Sequence, residues 1–541
     1  MTLRMGNHAL PYSAEAARCQ HISNQASYAP EPSGTDNSHN RHHLAPISGS
    51  IDQADASPLA AAWREIHEET TLTPSSLALF RQGKSYTFSD PSIRREWTIY
   101  PFAFRLKAGI QDAEKIKIDW EHEDWDWYDP FVIEDSDAFG GVPRLAESLR
   151  RVWFEKDLGE KAGKILSNGL DKLANDFTSG ARQMADDALR ILRDVIRALS
   201  VQESGEEAEW CWENIRFAAW HIWKNGRESM GAAIMNALLS ALDTIEQTVI
   251  IENRGRNISA HSRFVLTLSL LDSLIEKRER EHTPLEVSET LQTYIKSEFA
   301  STTDSDPPCL PSHLSILTLS ESSTIECALH HLAKDPSITL DLRILESRPQ
   351  FEGVSLAATL AKRMRRPPST PPHTITLYTD ASAVLAAQDV DLVIVGADRI
   401  ASNGAVSNKT GTLPAILAAR HTTSTSPQPA RIVVLADSEK IAPAPNSPQD
   451  HVIENGDPAQ VTHAWQESSS RIKAAAESLS SVDEYADGRA ANINVCNISF
   501  EWCPPDLIDA YITEFAVWSV AGIASHSEYL GEHERRLFGD L

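Results

Sequence analysis

Two stretches of the chain carry residue types that could do chemistry. In "DLVIVGADRIASNGAVSNKTGTLPAILAAR", residues 391–420, an apolar β-rich run ends at Gly396 and presents Asp398 and Arg399 at its carboxyl end. Open α/β sheets bind ligands at that end of their strands. Asn403-Gly404 signals a turn. "SNKTGT" then predicts a helix start whose free N–H groups, with Asn408 and Lys409, could hold a phosphate. Pro414 suits the first turn of that helix. The plainer alternative is a strand–turn–helix link with Lys409 solvated. In "REIHEET", Glu65, Glu68 and Glu69 fall at i, i+3 and i+4 and share one helical face. Hard oxygen donors placed so suit Mg²⁺ or Mn²⁺, which could bridge a diphosphate and activate a water. A solvated acidic face is the plainer alternative here.

The elements around these stretches define the expected organisation. A chain of 541 residues is expected to divide into two or more domains. Residues 1–45 are polar, rich in Ser, Asn, His and Pro, and are expected to be disordered, with no strand among them. Residues 46–140 form a mixed α+β region. "SPLAAAWREIHEETTL" predicts a helix with Ser57 as N-cap and Pro58 in the first turn, "EWTIYPFAFRL" a strand, and "KIKIDW" a further strand. Residues 160–300 read as helical, with apolar residues at helical spacing in four or more segments. The Pro-containing stretch 301–312 reads as a linker. From 313 to 535 short apolar runs alternate with amphipathic stretches: "LSILTL", "DLRIL", "TITLY", "DLVIVGAD", "RIVVLAD" and "INVCN". That rhythm predicts an α/β, Rossmann-like parallel sheet with helices on both faces.

Composition narrows the function classes. The formal net charge of −26 opposes sequence-independent binding to nucleic acid. No apolar run reaches the roughly 18 residues of a membrane span, and the first residues lack an apolar secretory segment, so a soluble protein is expected. The six cysteines form no C-x-x-C pair, which fits reduced thiols in a cytoplasmic protein.

The pattern R-E-apolar-x-E-E at 64–69, with "ISGSID" before it and "TLTPSSL" after it, resembles the Nudix box. The resemblance implies hydrolysis of a nucleoside diphosphate linked to another group, with Glu65, Glu68 and Glu69 as metal ligands and Arg64 orienting the first. Ser50, Ala56 and Thr71 stand where that box has glycine, glutamate and glycine, so a degenerate domain is expected. Glu121 and Glu123 are the candidates for a further ligand or base.

The 395–412 stretch resembles the signature of the family that contains translation initiation factor 2B regulatory subunits, methylthioribose-1-phosphate isomerase and ribose-1,5-bisphosphate isomerase. "HLSILTLSESST", "LRILESRPQFEG", "ITLYTDASA", "VVLADSEKIA" and "FEWCPPDLIDAYITEF" support it in the same order. The resemblance implies a sugar-phosphate or nucleotide site with Arg227, Arg348, Asn408 and Lys409 as ligand contacts, and homo- or hetero-oligomers formed through the carboxyl-terminal domain. Family isomerases use an aspartate, matched by Asp398, and a cysteine, replaced here by Ser320. A serine hydroxyl titrates far above a thiol, so isomerase chemistry is expected to be impaired. Cys327 is expected to be structural, and Asp380 to cap the next helix. The expected function is a factor-2B-like regulatory protein that binds a phosphorylated ribose metabolite or nucleotide. The alternatives are a sugar-phosphate aldose–ketose isomerase and a Mg²⁺-dependent Nudix hydrolase.

Overall fold

The computed structural model describes residues 19–26, 43–91, 94–107, 116–120, 122, 124–136, 138–176, 179–201, 210–227, 231–251, 253, 258–281, 283–299, 311–444, 456–466, 469–480 and 494–541. The disorder expected over 1–45 falls mostly on residues outside this set, as do Glu121, Glu123 and all but the end of the 301–312 stretch.

Helix α1 (Pro58–Thr70) starts as its sequence demands, with Ser57 Oγ accepting from Ala60 N and Pro58 in the first turn. It packs Ala62 and Ile66 on an antiparallel sheet in which β4 (Arg95–Leu106) pairs with β1 (Cys19–Ala26), β2 (Leu77–Gln82) and β3 (Tyr86–Asp90). Phe102 and Phe104 of β4 fill the core between sheet and helix. Two expectations are corrected here. A strand does form before residue 45, because β1 satisfies the backbone edge of β4 along eight paired residues without needing an apolar rhythm of its own. The described part of "KIKIDW", residues 116–120, is not a strand; Lys117 N and Asp119 N donate to the carbonyls of Thr70 and Glu69 and so cap the end of α1.

A helical layer follows: α2 (Leu145–Arg150), α3 (Glu155–Ala174), α4 (Ala181–Leu199), α5 (Trp212–Asn225), α6 (Gly231–Ile245), α7 (Ala260–Arg280) and α8 (Thr283–Glu298). α6 is buried nearly all round and continues through a π-helical turn at Glu246–Ile251. Contrary to the sequence expectation, the stretch Gly231–Ile251 is long and apolar enough to cross a membrane by length and composition. Its apolar residues instead pack with α3, α4, α5, α7 and the last helix in one core.

The remaining elements build the predicted α/β unit. The strands β5 (His313–Leu319), β6 (Thr339–Leu345), β7 (Thr374–Tyr378), β8 (Leu392–Val395), β11 (Arg431–Leu435), β13 (Ala510–Ile512) and β14 (Val517–Trp518) form one sheet in the order β14-β13-β11-β8-β5-β6-β7, parallel except at β14. Alternate residues feed two cores. Leu314, Ile316 and Ile394 pack with α8, α9 (Ser323–Ala333) and α10 (Glu352–Arg363). Leu317, Leu319 and Val395 pack on the other face with α11 (Ala383–Ala386), α12 (Thr412–Thr422) and the last helix. Helices α13 (Pro458–Gln466), α14 (Ser470–Ser480) and α15 (Val520–Phe538) complete the chain, and Leu537 and Phe538 of α15 return to the helical layer. A second, small antiparallel sheet, β9 (Arg399–Ile400), β10 (Val406–Lys409) and β12 (Phe500–Cys503), stands beside the carboxyl ends of the main strands. The "INVCN" run is not a strand over its described residues 494–497. Asn497 Nδ2 there donates to Asp457 O and Gln460 Oε1, and the strand forms later, at β12.

The N-terminal unit is fastened to the helical layer by a buried arginine. Arg81, 2% exposed, gives Glu155 two bonds of 2.8 and 2.7 Å and lies 3.7 Å from the Phe154 ring centroid. Next to it, Asn225 Oδ1 accepts from Gln82 N at 2.7 Å while its Nδ2 donates to Gln82 O at 2.9 Å.

Candidate functional site

Strand order reverses between β5 and β8: the chain goes from β5 outward through β6 and β7, then returns to the other side of β5. The carboxyl ends flanking such a reversal leave a crevice. At the end of β5, Ser320 adopts φ +62°, in the left-handed region that favours glycine, and Ser347 beyond β6 adopts φ +60°. Both are held there by bonds. Ser320 N donates to Ser347 Oγ at 2.7 Å, and Ser347 N and Arg348 N donate to the two carboxylate oxygens of Asp380 at 2.9 and 2.8 Å. Asp380 therefore clamps the turn after β6, a role other than the expected helix cap.

Gly353 brings α10 against this turn; a Cβ there would lie 1.9 Å from Leu345 O, so only glycine permits the approach. The contact places Glu352 at the centre of the site. Its carboxylate accepts from Ser320 Oγ at 2.6 Å and pairs with Lys409 Nζ at 2.9 Å. Burial and the negative charges of Glu352 and Glu326 push the Glu321 carboxyl upward from the ordinary glutamate value. Asp398, following β8, faces Lys440 Nζ at 3.5 Å.

Other predicted residues land differently. Asn408 and Lys409 lie on β10, not at a helix start, and α12 begins only at Thr412. Asn408 is buried, and its Nδ2 donates to Thr412 Oγ1 at 2.9 Å. The N–H groups expected to meet an anion already have one: Glu501 Oε1, brought across by β12, accepts from Gly411 N at 2.6 Å and Leu413 N at 3.0 Å. Arg348 points outward, its side chain 57% exposed, and pairs with Glu346 at 2.9 Å. Arg227 donates to Asp176 O at 2.5 Å; the segment it sits on leads to Gly231, where a Cβ would be 3.8 Å from Arg399 Nη1. Cys327 is half-buried on α9.

On α1, the three predicted metal ligands divide. Arg64 Nη1 binds Glu65 at 2.7 Å and Glu68 at 3.1 Å, while its other nitrogens bind Asp55 and the Ser50 carbonyl. Glu69 is buried and faces His122 Nε2 at 3.3 Å, and His122 Nδ1 meets Asp119 at 2.9 Å. Burial raises the Glu65 carboxyl above the ordinary value, while the Arg64 guanidinium beside it acts the other way. Among the described residues no group of three or more His, Cys, Asp and Glu side chains gathers as metal ligands. The donors are right in kind for Mg²⁺ or Mn²⁺, but as arranged they do not fit the ion.

A family model described as "Initiation factor 2 subunit family" matches residues 178–520, well over half of the chain. The chain belongs to that family. A NUDIX domain model matches residues 32–151, so the family module is fused to a NUDIX domain. The chain is 30% identical over 208 residues to a methylthioribose-1-phosphate isomerase of Geobacillus thermodenitrificans, covering 37% of this chain and 50% of that one. It is 35% identical over 181 residues to the enzyme of the same name from Aspergillus clavatus, covering 32% and 41%. It thus spans half or less of the length of these curated relatives. Among solved structures it resembles the tetrameric eIF2B-beta2-delta2 complex from C. thermophilum, with 14% identity and a TM-score of 0.43, covering 72% of this chain and 100% of that one. A 5-methylthioribose 1-phosphate isomerase from Pyrococcus horikoshii OT3 gives 19% identity and a TM-score of 0.41, covering 70% and 88%.

Within this initiation factor 2 subunit module, sequence reasoning missed Glu352, Lys440 and Glu501. Glu352 stood inside the quoted run "ESRPQFEG", and the glycine after it was the available signal, since glycine at a helix start marks a close backbone approach.

Proposed function

We propose that the module is a regulatory, ligand-sensing member of its family, acting in the cytoplasm, that binds a phosphorylated ribose compound or nucleotide at the tips of β5, β6, β8 and β10. The observation that carries this is the Ser320–Glu352–Lys409 constellation beside Asp398–Lys440. It offers an acceptor for sugar hydroxyls at Asp398 and the Lys409 ammonium for a phosphate, without a thiol at the end of β5. Association with a second copy or a related subunit through the carboxyl-terminal domain belongs to the same proposal.

A thermal-shift series of ribose phosphates and nucleotides against wild type and Lys409→Ala tests it, since a ligand that binds only the folded state raises stability. At least one compound should raise the melting temperature of wild type and leave the variant unmoved. A flat response to all of them removes the reading.

The isomerase reading has one observation in its favour: the Ser320 hydroxyl lies 2.6 Å from a carboxylate that could take its proton. Turnover of methylthioribose 1-phosphate, abolished in Asp398→Asn, would establish it. Metal-dependent diphosphate hydrolysis by the NUDIX domain rests on the match over 32–151 and on Glu65, Glu68 and Glu69 sharing α1. It requires Arg64 to release two of them, and Mn²⁺ titration of the full chain tests for that.

A further inference from the structure

Three acidic residues, Asp398, Asp437 and Glu514, follow the carboxyl ends of β8, β11 and β13. β8 and β11 pair in parallel with Val395 opposite Val434, and β11 pairs with β13 so that Leu435 is opposite Ile512. Beyond the strand ends that register is not kept, since Ile400 bridges Ile441; Lys440 links the first two acids instead, its N donating to Asp437 O and its Nζ facing Asp398 at 3.5 Å. Ser438, the neighbour of Asp437, bonds Glu514, so the three acids gather at the ends of β8, β11 and β13.

Their partners are unequal. Glu514 accepts from Ser438 N at 3.0 Å and from Ser438 Oγ at 2.6 Å. Asp398 has Lys440 at 3.5 Å. Arg278 is taken by Glu439 and Asp186. Asp437 is 9% exposed, and its Oδ1 is buried with no hydrogen bond among the described residues. A buried acceptor without a donor costs about 1–3 kcal/mol, more when it is charged, unless something donates to it. An ionised phosphate oxygen cannot donate, and its charge would be repelled by these carboxyl groups. A sugar hydroxyl can.

We propose that Asp437, with Asp398, forms a hydroxyl-reading subsite, so that a phosphorylated sugar lies with its uncharged, hydroxyl-bearing end at the tips of β8 and β11. Its phosphate then points toward Lys409 on β10. This rests on the sugar-phosphate reading of the site and adds a selectivity to it: one phosphate is accepted and a second, at the far end of the sugar, is refused.

Calorimetric titration of the full chain with ribose 5-phosphate and with ribose 1,5-bisphosphate tests this. Wild type should bind the monophosphate the more tightly. Asp437→Ala should weaken monophosphate binding by about 10- to 100-fold, the range expected for a hydrogen bond to a charged group, while the bisphosphate is weakened far less. Asp437→Asn keeps an acceptor and removes the charge, and serves if the alanine variant fails to fold. It should hold the monophosphate and tighten the bisphosphate. Monophosphate binding that is unchanged in Asp437→Ala, or bisphosphate binding that is unchanged in Asp437→Asn, overturns the subsite alone. No binding of either compound to wild type overturns the sugar-phosphate reading as well.

Discussion

Each cation of the strand-tip site is answered by a carboxylate of the chain itself, and Glu352 carries most of that balance. Removing its charge should release Lys409 for an external anion. Glu352→Gln is expected to tighten binding of a ribose monophosphate by about 3- to 10-fold, the scale of one partly exposed ion pair. Titration calorimetry reads this directly, and an unchanged or weakened affinity would place Glu352 among the groups that hold the ligand. The thiols offer a second check. Cys503 is fully buried on β12, and desolvation pushes its thiol up to about 12, whereas Cys496 is exposed. At pH 8 iodoacetamide should label Cys496 in the native protein and reach Cys503 only after unfolding, as peptide mass mapping would show.

Strands β5, β6, β8 and β11 were legible in the sequence because each is a run of four to seven mostly apolar residues with both faces destined for a core, and β7, at the sheet edge, because of its short β-rich run. Strands β9, β10 and β12 were not. "VSNK" and "FEWC" have no apolar rhythm, and they pair because the reversal of strand order brings two loops together. The same pairing put Glu501 on the first turn of α12, which no local pattern announces; the anion-binding character of that turn was legible, its internal occupant was not. Glu352 was hidden for a like reason, since its two partners lie 32 and 57 positions away in the chain. At this scale Glu501→Ala is expected to cost about 1 kcal/mol of stability through loss of the helix cap. It should also open Gly411 N and Leu413 N to solvent anions. Chemical denaturation with and without added phosphate measures both effects, and a variant as stable as wild type and indifferent to phosphate would dismiss the cap.

At the scale of the molecule, the NUDIX domain and the helical layer meet around two buried polar side chains. His221 is fully buried among the rings of Phe154, Phe217 and Trp220, and burial, reinforced by the positive charge of Arg81, holds its imidazole well below the ordinary value. The folded state therefore keeps it neutral, while the unfolded chain takes up a proton as pH falls through about 6.5. His221 adds no pH dependence above that point. Below it, stability should decline by up to about 1.4 kcal/mol per pH unit. Melting curves between pH 7 and 5 should be flatter for His221→Gln than for wild type. The Arg81–Glu155 pair is expected to couple the unfolding of the two units. Arg81→Ala, which strands Glu155, should cost about 3–5 kcal/mol and split a single calorimetric transition into two.

That joint bears on how the protein is dissected in practice. Cutting the NUDIX domain away to assay the family module by itself would strip Glu155 of its counter-charge, Asn225 of both bonds to Gln82, and Phe154 of the guanidinium stacked on its ring. Asn225 ends the helix that leads to Arg227, so the loss would spread toward the Arg227–Asp176 contact. A fragment found inert after such surgery would testify to its missing neighbour and not to the chemistry of the intact chain.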